Sequence, residues 1–315
     1  MEKILLTGAT GFIGSELAPK LIREGYEVHT LERYITGRYS LDKEAMVHYA
    51  NLEDRTATCE VVRKAQPDYV IHLAALSPVS YSYEHYNEVS NVNYLGSVNL
   101  AEACRSQGNI KAFITAGTSE MYGMELKDKS KKLTENNMLV PNSPYAVAKT
   151  AFSMYLKYMD MAYNFPYIEM RPFNTYGRKN NTHFFIERTI TQMLEGMEVS
   201  LGDKTTIRDW LYVDDHVEGY LKALKSPKAI GQSINLCTGV GYTTEETANR
   251  IAQMLNFKGE IRWNSSQARP LDARILIGDN KKAIELLGWY PKYNLMEGLN
   301  KTIEYWKDKH GRPKE

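Results

Sequence analysis

Several features are scarce or missing, and each narrows the field. Three cysteines in 315 residues (Cys59, Cys104 and Cys237) are an odd, scattered set without metal-ligand or redox spacing. They read as plain thiols in a reducing cytoplasm, not as a disulfide framework. Charge of either sign is not in excess: the formal net charge is +1. No overall field therefore argues for nucleic acid or an anionic membrane surface. No apolar run approaches the roughly 20 residues of a membrane span. A first strand starting at Lys3 leaves no room for a signal peptide. There is no internal repeat and no low-complexity linker.

What remains is an ordinary globular composition, 43% hydrophobic and 24% charged. In the first half, strand and helix patterns alternate. "KILLTGA", "EVHTLE", "DYVIHLAA" and "KAFITAG" are short apolar runs. Between them "SELAPKLIREGY", "TATCEVVRKAQ" and "NVNYLGSVNLAEACRSQG" carry helical spacing, the last closing at a glycine C-cap. Strands without polar alternation are buried on both faces, as in a parallel sheet between helices. The expected fold is α/β, a Rossmann-type doubly wound parallel sheet with a smaller C-terminal α/β lobe. Residues 1–172, with 207–240 returning to them, would form the cofactor domain. Residues 173–206 and 241–315 would form the substrate lobe.

"TGATGFIG" places Gly8, Gly11 and Gly14 between the first strand and first helix. Gly8 permits the turn, Gly11 admits a pyrophosphate to the backbone, and Gly14 lets helix and strand approach. Thr10, Phe12 and Ile13 share this loop. Glu32 ends the second strand, where an acid would bind ribose hydroxyls and repel a 2′-phosphate. This favours NAD over NADP, although Arg33 and Arg38 follow and could cradle that phosphate. Asn51 and Leu52 would approach the adenine. Leu73, Ala74, Ala75 and Asn93 would lie beside the cofactor.

Ser143 and Pro144 open a helix in which Tyr145 and Lys149 lie four apart, on one face. A phenol titrates near ~10, too high for a base at neutral pH. A nearby ammonium favours the phenolate, which could then take the proton of an alcohol losing hydride.

Together, "TGATGFIGSEL", "PDYVIHLAA", "NVNYLGSVNL", "SPYAVAKT", "RPFNTYG" and "LGWYP" resemble the extended short-chain dehydrogenase/reductase superfamily, the NAD-dependent epimerases and dehydratases, over residues 3–307. The resemblance implies a Rossmann domain holding NAD and a lobe holding a nucleotide-diphosphate sugar. It also implies a homodimer, with a tetramer left open, through a four-helix bundle that includes the Tyr145 helix. In "TAGTSEMYG" it implies that Thr118 holds the reacting hydroxyl and Glu120 takes the C5 proton. Ser119 stands where dTDP-glucose 4,6-dehydratases carry Asp; GDP-mannose 4,6-dehydratases share "TSE". Glu120 would then both remove the C5 proton and supply one to the C6 oxygen.

"TIRDWLYVDDHVEGY" resembles dTDP- and CDP-glucose 4,6-dehydratases and assigns Arg208 to the diphosphate, with Asn174 and Arg269 as further contacts. Ser77 and Ser80 would touch the hexose, although relatives have histidine at the position of Pro78. Arg274 is expected in an ion pair with Asp272 or Asp279. Asp214, Asp215 and His216 read as a helix cap with basic neighbours, and no metal is expected. The resulting expectation is a nucleotide-sugar 4,6-dehydratase. UDP-glucuronate decarboxylase, 4-epimerase, 4-keto-sugar reductase and a non-catalytic dinucleotide sensor are the alternatives. Nucleobase and hexose stay open.

Overall fold

The computed structural model describes residues 1–33, 41–123, 126–196, 198–264 and 271–311. The early strands are β1 (Lys3–Thr7), β2 (Glu27–Glu32), β3 (Met46–Tyr49), β4 (Tyr69–His72), β5 (Ala112–Ala116) and β6 (Tyr167–Pro172). Then come β7 (Asn174–Tyr176), β8 (Val199–Leu201), β9 (Ile207–Tyr212), β10 (Gln232–Leu236), β11 (Gly241–Thr243), β12 (Ile261–Trp263) and β13 (Ile275–Leu276).

Seven of these form one sheet in the order β3-β2-β1-β4-β5-β6-β10, every neighbouring pair parallel. Strand order reverses between β1 and β4, which opens a crevice at their carboxyl ends. The strands read as uninterrupted apolar runs because both faces are covered. One face carries Ile4, Leu6, Ile71, Ile114 and Ile168 against α1 (Phe12–Arg23) and a later helix at 213–224. The other packs Leu5, Val70 and Phe113 against α2 (Arg55–Ala65) and the helices at 97–107 and 144–163. Truncating one such fully buried leucine or isoleucine to alanine costs about 2–5 kcal/mol.

Three helical pieces follow β4: α3 (Val79–Glu84), α4 (Tyr86–Ser90) and, after a π-helical stretch at Asn91–Gly96, α5 (Ser97–Gln107). The expected helix over "NVNYLG" is thus π-wound before it becomes α-helical, and it ends at Gly108 as expected. Helix α6 (Pro144–Tyr163) starts where the Ser143 hydroxyl accepts from Ala146 N at 3.1 Å and ends at Asn164 in a left-handed conformation. Its buried face runs Tyr145, Lys149, Phe152, Leu156 and Met159.

The remaining helices are α7 (Phe185–Leu194), α8 (Val213–Leu224), α9 (Thr244–Leu255), α10 (Lys281–Leu287) and α11 (Leu295–His310). Strand β9 pairs with β7, β11 and β13 in a smaller sheet, and β8 pairs with β12. The chain therefore rejoins the large sheet through α8 and β10, while 207–212 stays in the small one. A separate core around Ile190, Trp210, Leu299 and Trp306 supports this lobe. No helix among the described residues is long and apolar enough to cross a membrane. Cys104 and Cys237 are buried thiols and Cys59 is half-buried.

Candidate active site

One cavity of about 790 Å³ runs from the end of β1 into the smaller lobe. Its first wall is the glycine loop. Gly8 adopts φ +74°, and a Cβ there would lie 2.8 Å from Ala74 N. A Cβ on Gly14 would lie 2.1 Å from the Gly8 carbonyl oxygen, so only glycine lets α1 start this close to β1. Gly11 caps α1 without a side-chain bond. The first-turn N–H groups are thus left for a ligand, and Gly11, Phe12, Ile13 and Gly14 all line the cavity. A dinucleotide diphosphate fits this cradle.

Glu32 is buried and accepts from Ala9 N at 2.9 Å and from the Thr10 hydroxyl at 2.7 Å. Burial raises its pKa, and these hydrogen bonds work against that. The acid thus ties the glycine loop to β2, and its remaining lone pairs are what a ribose hydroxyl could use. Arg33 lines the cavity 3.9 Å from Glu88. Arg38 lies outside the described residues. Beneath the loop, the Thr7 hydroxyl sits 2.7 Å from His72 Nδ1 and accepts from Ala74 N at 3.1 Å.

Leu73 and Ala75 line the cavity, whereas Glu32, Asn51, Leu52, Ala74 and Asn93 do not. Asn51 is exposed and bonded to Glu53, and Leu52 is buried. Asn93 spends its amide on both polar groups of the Leu76 backbone, at 2.8 and 3.0 Å. It shapes the loop after β4 from behind. Ser77 and Pro78 on that loop, and Ser80 in the first turn of α3, do line the cavity.

The polar triplet follows β5, where Gly117 N donates to Met170 O at 2.7 Å. Thr118 is extended and caps a 3₁₀ turn at Ser119–Met121, its hydroxyl accepting from Glu120 N at 3.2 Å. All three side chains are buried yet line the cavity, opposite Tyr145. Asn142, with its amide oriented to satisfy both ends, donates to Glu120 Oε2 at 3.3 Å and accepts from Ala273 N at 3.2 Å.

Tyr145 is 7% exposed, and burial pushes its phenol up to about 12. A hydrogen bond with Thr118 and the charge of Arg178 pull it down, while Glu120 pushes it up. Lys149 Nζ donates to Ala116 O at 2.8 Å, and burial lowers its pKa to about 8 against the pull of Glu169. The charge that favours the Tyr145 phenolate is therefore Arg178, stacked over Phe12 and Phe184, and not Lys149 as expected, whose ammonium is engaged by Ala116 O. Sequence reasoning missed Arg178; its signal was a cation directly after "NTYG".

At the other end, Arg208 is 5% exposed and pairs with Asp272 at 2.9 Å. Arg274 therefore does not have Asp272 to itself, and Asp279 faces Lys281 at 3.7 Å. Arg208, Asn174, Trp210, Thr206 and Thr244 line this end. The Asn174 carbonyl oxygen is buried without a partner among the described residues. Arg269 lies outside the described residues.

The acidic run divides. Asp214 faces Lys20 at 3.5 Å, but Asp215 accepts from Lys292 N and Tyr293 N rather than capping α8. His216 lines the cavity.

The model of the family described as GDP-mannose 4,6 dehydratase matches residues 5–302. A UDP-glucose 4-epimerase of Mycolicibacterium smegmatis is 31% identical, over 98% of this chain and 99% of that one. A solved UDP-glucose 4-epimerase of Thermotoga maritima with UDP-glucose is 32% identical, with a TM-score of 0.91, and the match covers 98% and 99% of the two chains. The Thermus thermophilus UDP-glucose 4-epimerase in complex with NAD is 30% identical, with a TM-score of 0.88 and coverage of 97% and 99%.

Proposed function

Because the chain belongs to the GDP-mannose 4,6 dehydratase family, within the NAD-dependent epimerases and dehydratases that act on nucleotide sugars, we propose that it converts a nucleotide-diphospho-hexose to the 4-keto-6-deoxy sugar. NAD fits the glycine cradle, and when bound it supplies the hydride acceptor at C4 and the donor at C6. Gly8, Gly11, Gly14 and the α1 N-terminus hold its diphosphate, with Glu32 toward the ribose.

The chain's own groups do the proton chemistry. Tyr145 takes the proton of the C4 hydroxyl while Thr118 holds that oxygen. Arg178 and the Thr118 hydrogen bond lower the cost of the phenolate. With a carbonyl at C4 the C5 proton becomes acidic, and Glu120 removes it. The same carboxyl returns a proton to the C6 oxygen, so the C6–O bond breaks and water leaves. When hydride adds at C6, C5 takes up a proton, which balances the one Tyr145 removed from the C4 hydroxyl. Ser119 supplies no acid, which leaves both transfers to Glu120. Arg208 and Asn174 hold the substrate diphosphate.

The observation that carries this reading is Glu120. It is a buried carboxylate two residues from Thr118, held by Asn142, in the same cavity as Tyr145. Epimerisation at C4 needs no base for C5. The second reading is nevertheless a 4-epimerase, favoured by the near-complete overlap with UDP-glucose 4-epimerases.

A stripe of Val147, Met154 and Met161, exposed at seven-residue spacing along α6, supports a homodimer through this helix. Mass spectrometry of nucleotide hexoses incubated with the protein and NAD+ tests the chemistry. Loss of one water, abolished by Glu120→Gln, is expected. An unchanged mass with altered retention means epimerisation, and loss of carbon dioxide from a glucuronate means decarboxylation; either outcome sinks the dehydratase reading.

A further inference from the structure

Two buried side chains on α8 line the cavity and carry polar tips that the described residues leave unsatisfied. His216 and Tyr220 lie four residues apart, so they share one helix face. Their rings stack with centroids 5.4 Å apart and planes 25° apart. His216 is 4% exposed and Tyr220 is fully buried, and both line the cavity. Neither His216 Nε2 nor the Tyr220 hydroxyl has a hydrogen-bond partner among the described residues. An unpartnered buried polar group costs roughly 1–3 kcal/mol. Two such groups side by side on a cavity wall mark a place that a ligand completes.

The surrounding bonds decide what each tip offers. Thr175 has one hydroxyl proton, which it donates to Phe173 O at 3.1 Å. The same hydroxyl lies 2.9 Å from His216 Nδ1, where it can only accept. With that hydroxyl proton donated to Phe173 O, Nδ1 carries the ring proton and the unpartnered Nε2 carries a lone pair. Burial, with Arg178 acting in the same direction, holds this ring neutral by lowering its pKa to about 3. Burial also keeps the Tyr220 phenol protonated. The wall thus offers one acceptor beside one donor, which is the complement of an amide.

We infer that His216 and Tyr220 form an amide-reading pair, in which His216 Nε2 accepts an amide N–H and the Tyr220 hydroxyl donates to the amide carbonyl of a bound ligand. The inference rests on the reading of the cavity as a site for NAD and a nucleotide sugar. Two ligand groups carry this chemistry: the nicotinamide carboxamide and an acetamido group on the hexose. The carboxamide is the better placed. The nicotinamide ring must lie beside Tyr145 to exchange hydride with the carbon whose hydroxyl Tyr145 deprotonates, and the Tyr220 phenol lies within the electrostatic reach of Tyr145.

Calorimetric titration tests the pair without any need for turnover. The wild-type chain is expected to bind NAD+ about tenfold more tightly than 3-acetylpyridine adenine dinucleotide, which keeps the carbonyl and replaces the amide nitrogen with methyl. Tyr220→Phe should weaken both by about tenfold and leave their ratio intact. His216→Phe should bring the ratio near one. Tyr220→Phe should not lower the melting temperature of the ligand-free protein, because the lost hydroxyl has no protein partner. If Tyr220→Phe instead spares NAD+ and weakens UDP-N-acetylglucosamine but not UDP-glucose, the pair reads the substrate's acetamido group. If it changes neither affinity, the inference is overturned. These outcomes hold whether the reaction product is a dehydrated sugar or an epimer, so each proposal can fail without the other.

Discussion

Lys149 is bonded to Ala116: its Nζ donates to that carbonyl at 2.8 Å, joining α6 to the strand end that carries Thr118. The lysine therefore holds Tyr145 and Thr118 in register across the cavity as well as bringing a charge. Its ammonium is present below about pH 8 and lost above it. The expected result is a kcat/KM that falls on the alkaline side near pH 8. The residual activity of Lys149→Arg should lack that limb, since a guanidinium stays protonated. An unchanged limb in the variant would assign it to another group. Tyr145→Phe should cost about 10²–10⁴-fold in kcat while leaving NAD+ affinity within a few-fold.

Gly14→Ala tests the cradle. The new methyl meets the Gly8 carbonyl at a distance that no Cβ tolerates, so α1 must move away from β1. A loss of about 1–3 kcal/mol of stability is expected in urea melts, together with a large loss of NAD+ affinity. Wild-type affinity in the variant would mean that the diphosphate sits elsewhere.

Acid should destabilise the fold in a defined window. His72 and His216 are buried, and burial lowers each to about 3, so the unfolded chain binds more protons between that value and about 6.5. Their contribution is full above that window and is lost as pH falls. Asp209, raised by burial to about 6, has the opposite sign, as do Glu32 and Asp215, which burial also raises, and together they offset part of the loss. From pH 7 to pH 5 the net loss should be on the order of 2 kcal/mol by urea unfolding. A flat profile over that range would contradict the burial of neutral imidazoles.

The exposed stripe on α6 predicts how the chain associates. Met154 is 65% and Met161 is 82% exposed on α6, where Val147, Tyr158 and Tyr163 are exposed as well. Met161→Glu should shift the protein from dimer to monomer in light scattering after gel filtration, with little change in helical content. A monomeric wild type would refute the dimer outright.

The place of the polar triplet at a strand end on the cavity was legible because its signal is local. "KAFITAG" is apolar enough to be a buried parallel strand, and a strand end in such a sheet is where ligands bind. Gly8, Gly14 and Ser143 were legible for the same reason, since a turn or a cap is set within a few residues. Asn142 and Arg178 were not. One is placed against Glu120 by Ala273, which is 131 positions away in the chain, and the other is held over Phe12 and Phe184. Neither has a short-range signature.

By itself the sequence determined the alternation of buried strands and helices, the glycine cradle, and the order of Thr118, Ser119, Glu120, Tyr145 and Lys149 along two adjoining elements. Periodicity, caps and turn residues act over one or two turns of chain, so they can be read in line. Only the tertiary structure decided that β9 lies in the small sheet, that Asp272 neutralises Arg208, and that the Thr175 hydroxyl meets His216 Nδ1. Those outcomes depend on which distant backbone groups satisfy one another once the core is packed, and that is a property of the closed fold rather than of any segment in it.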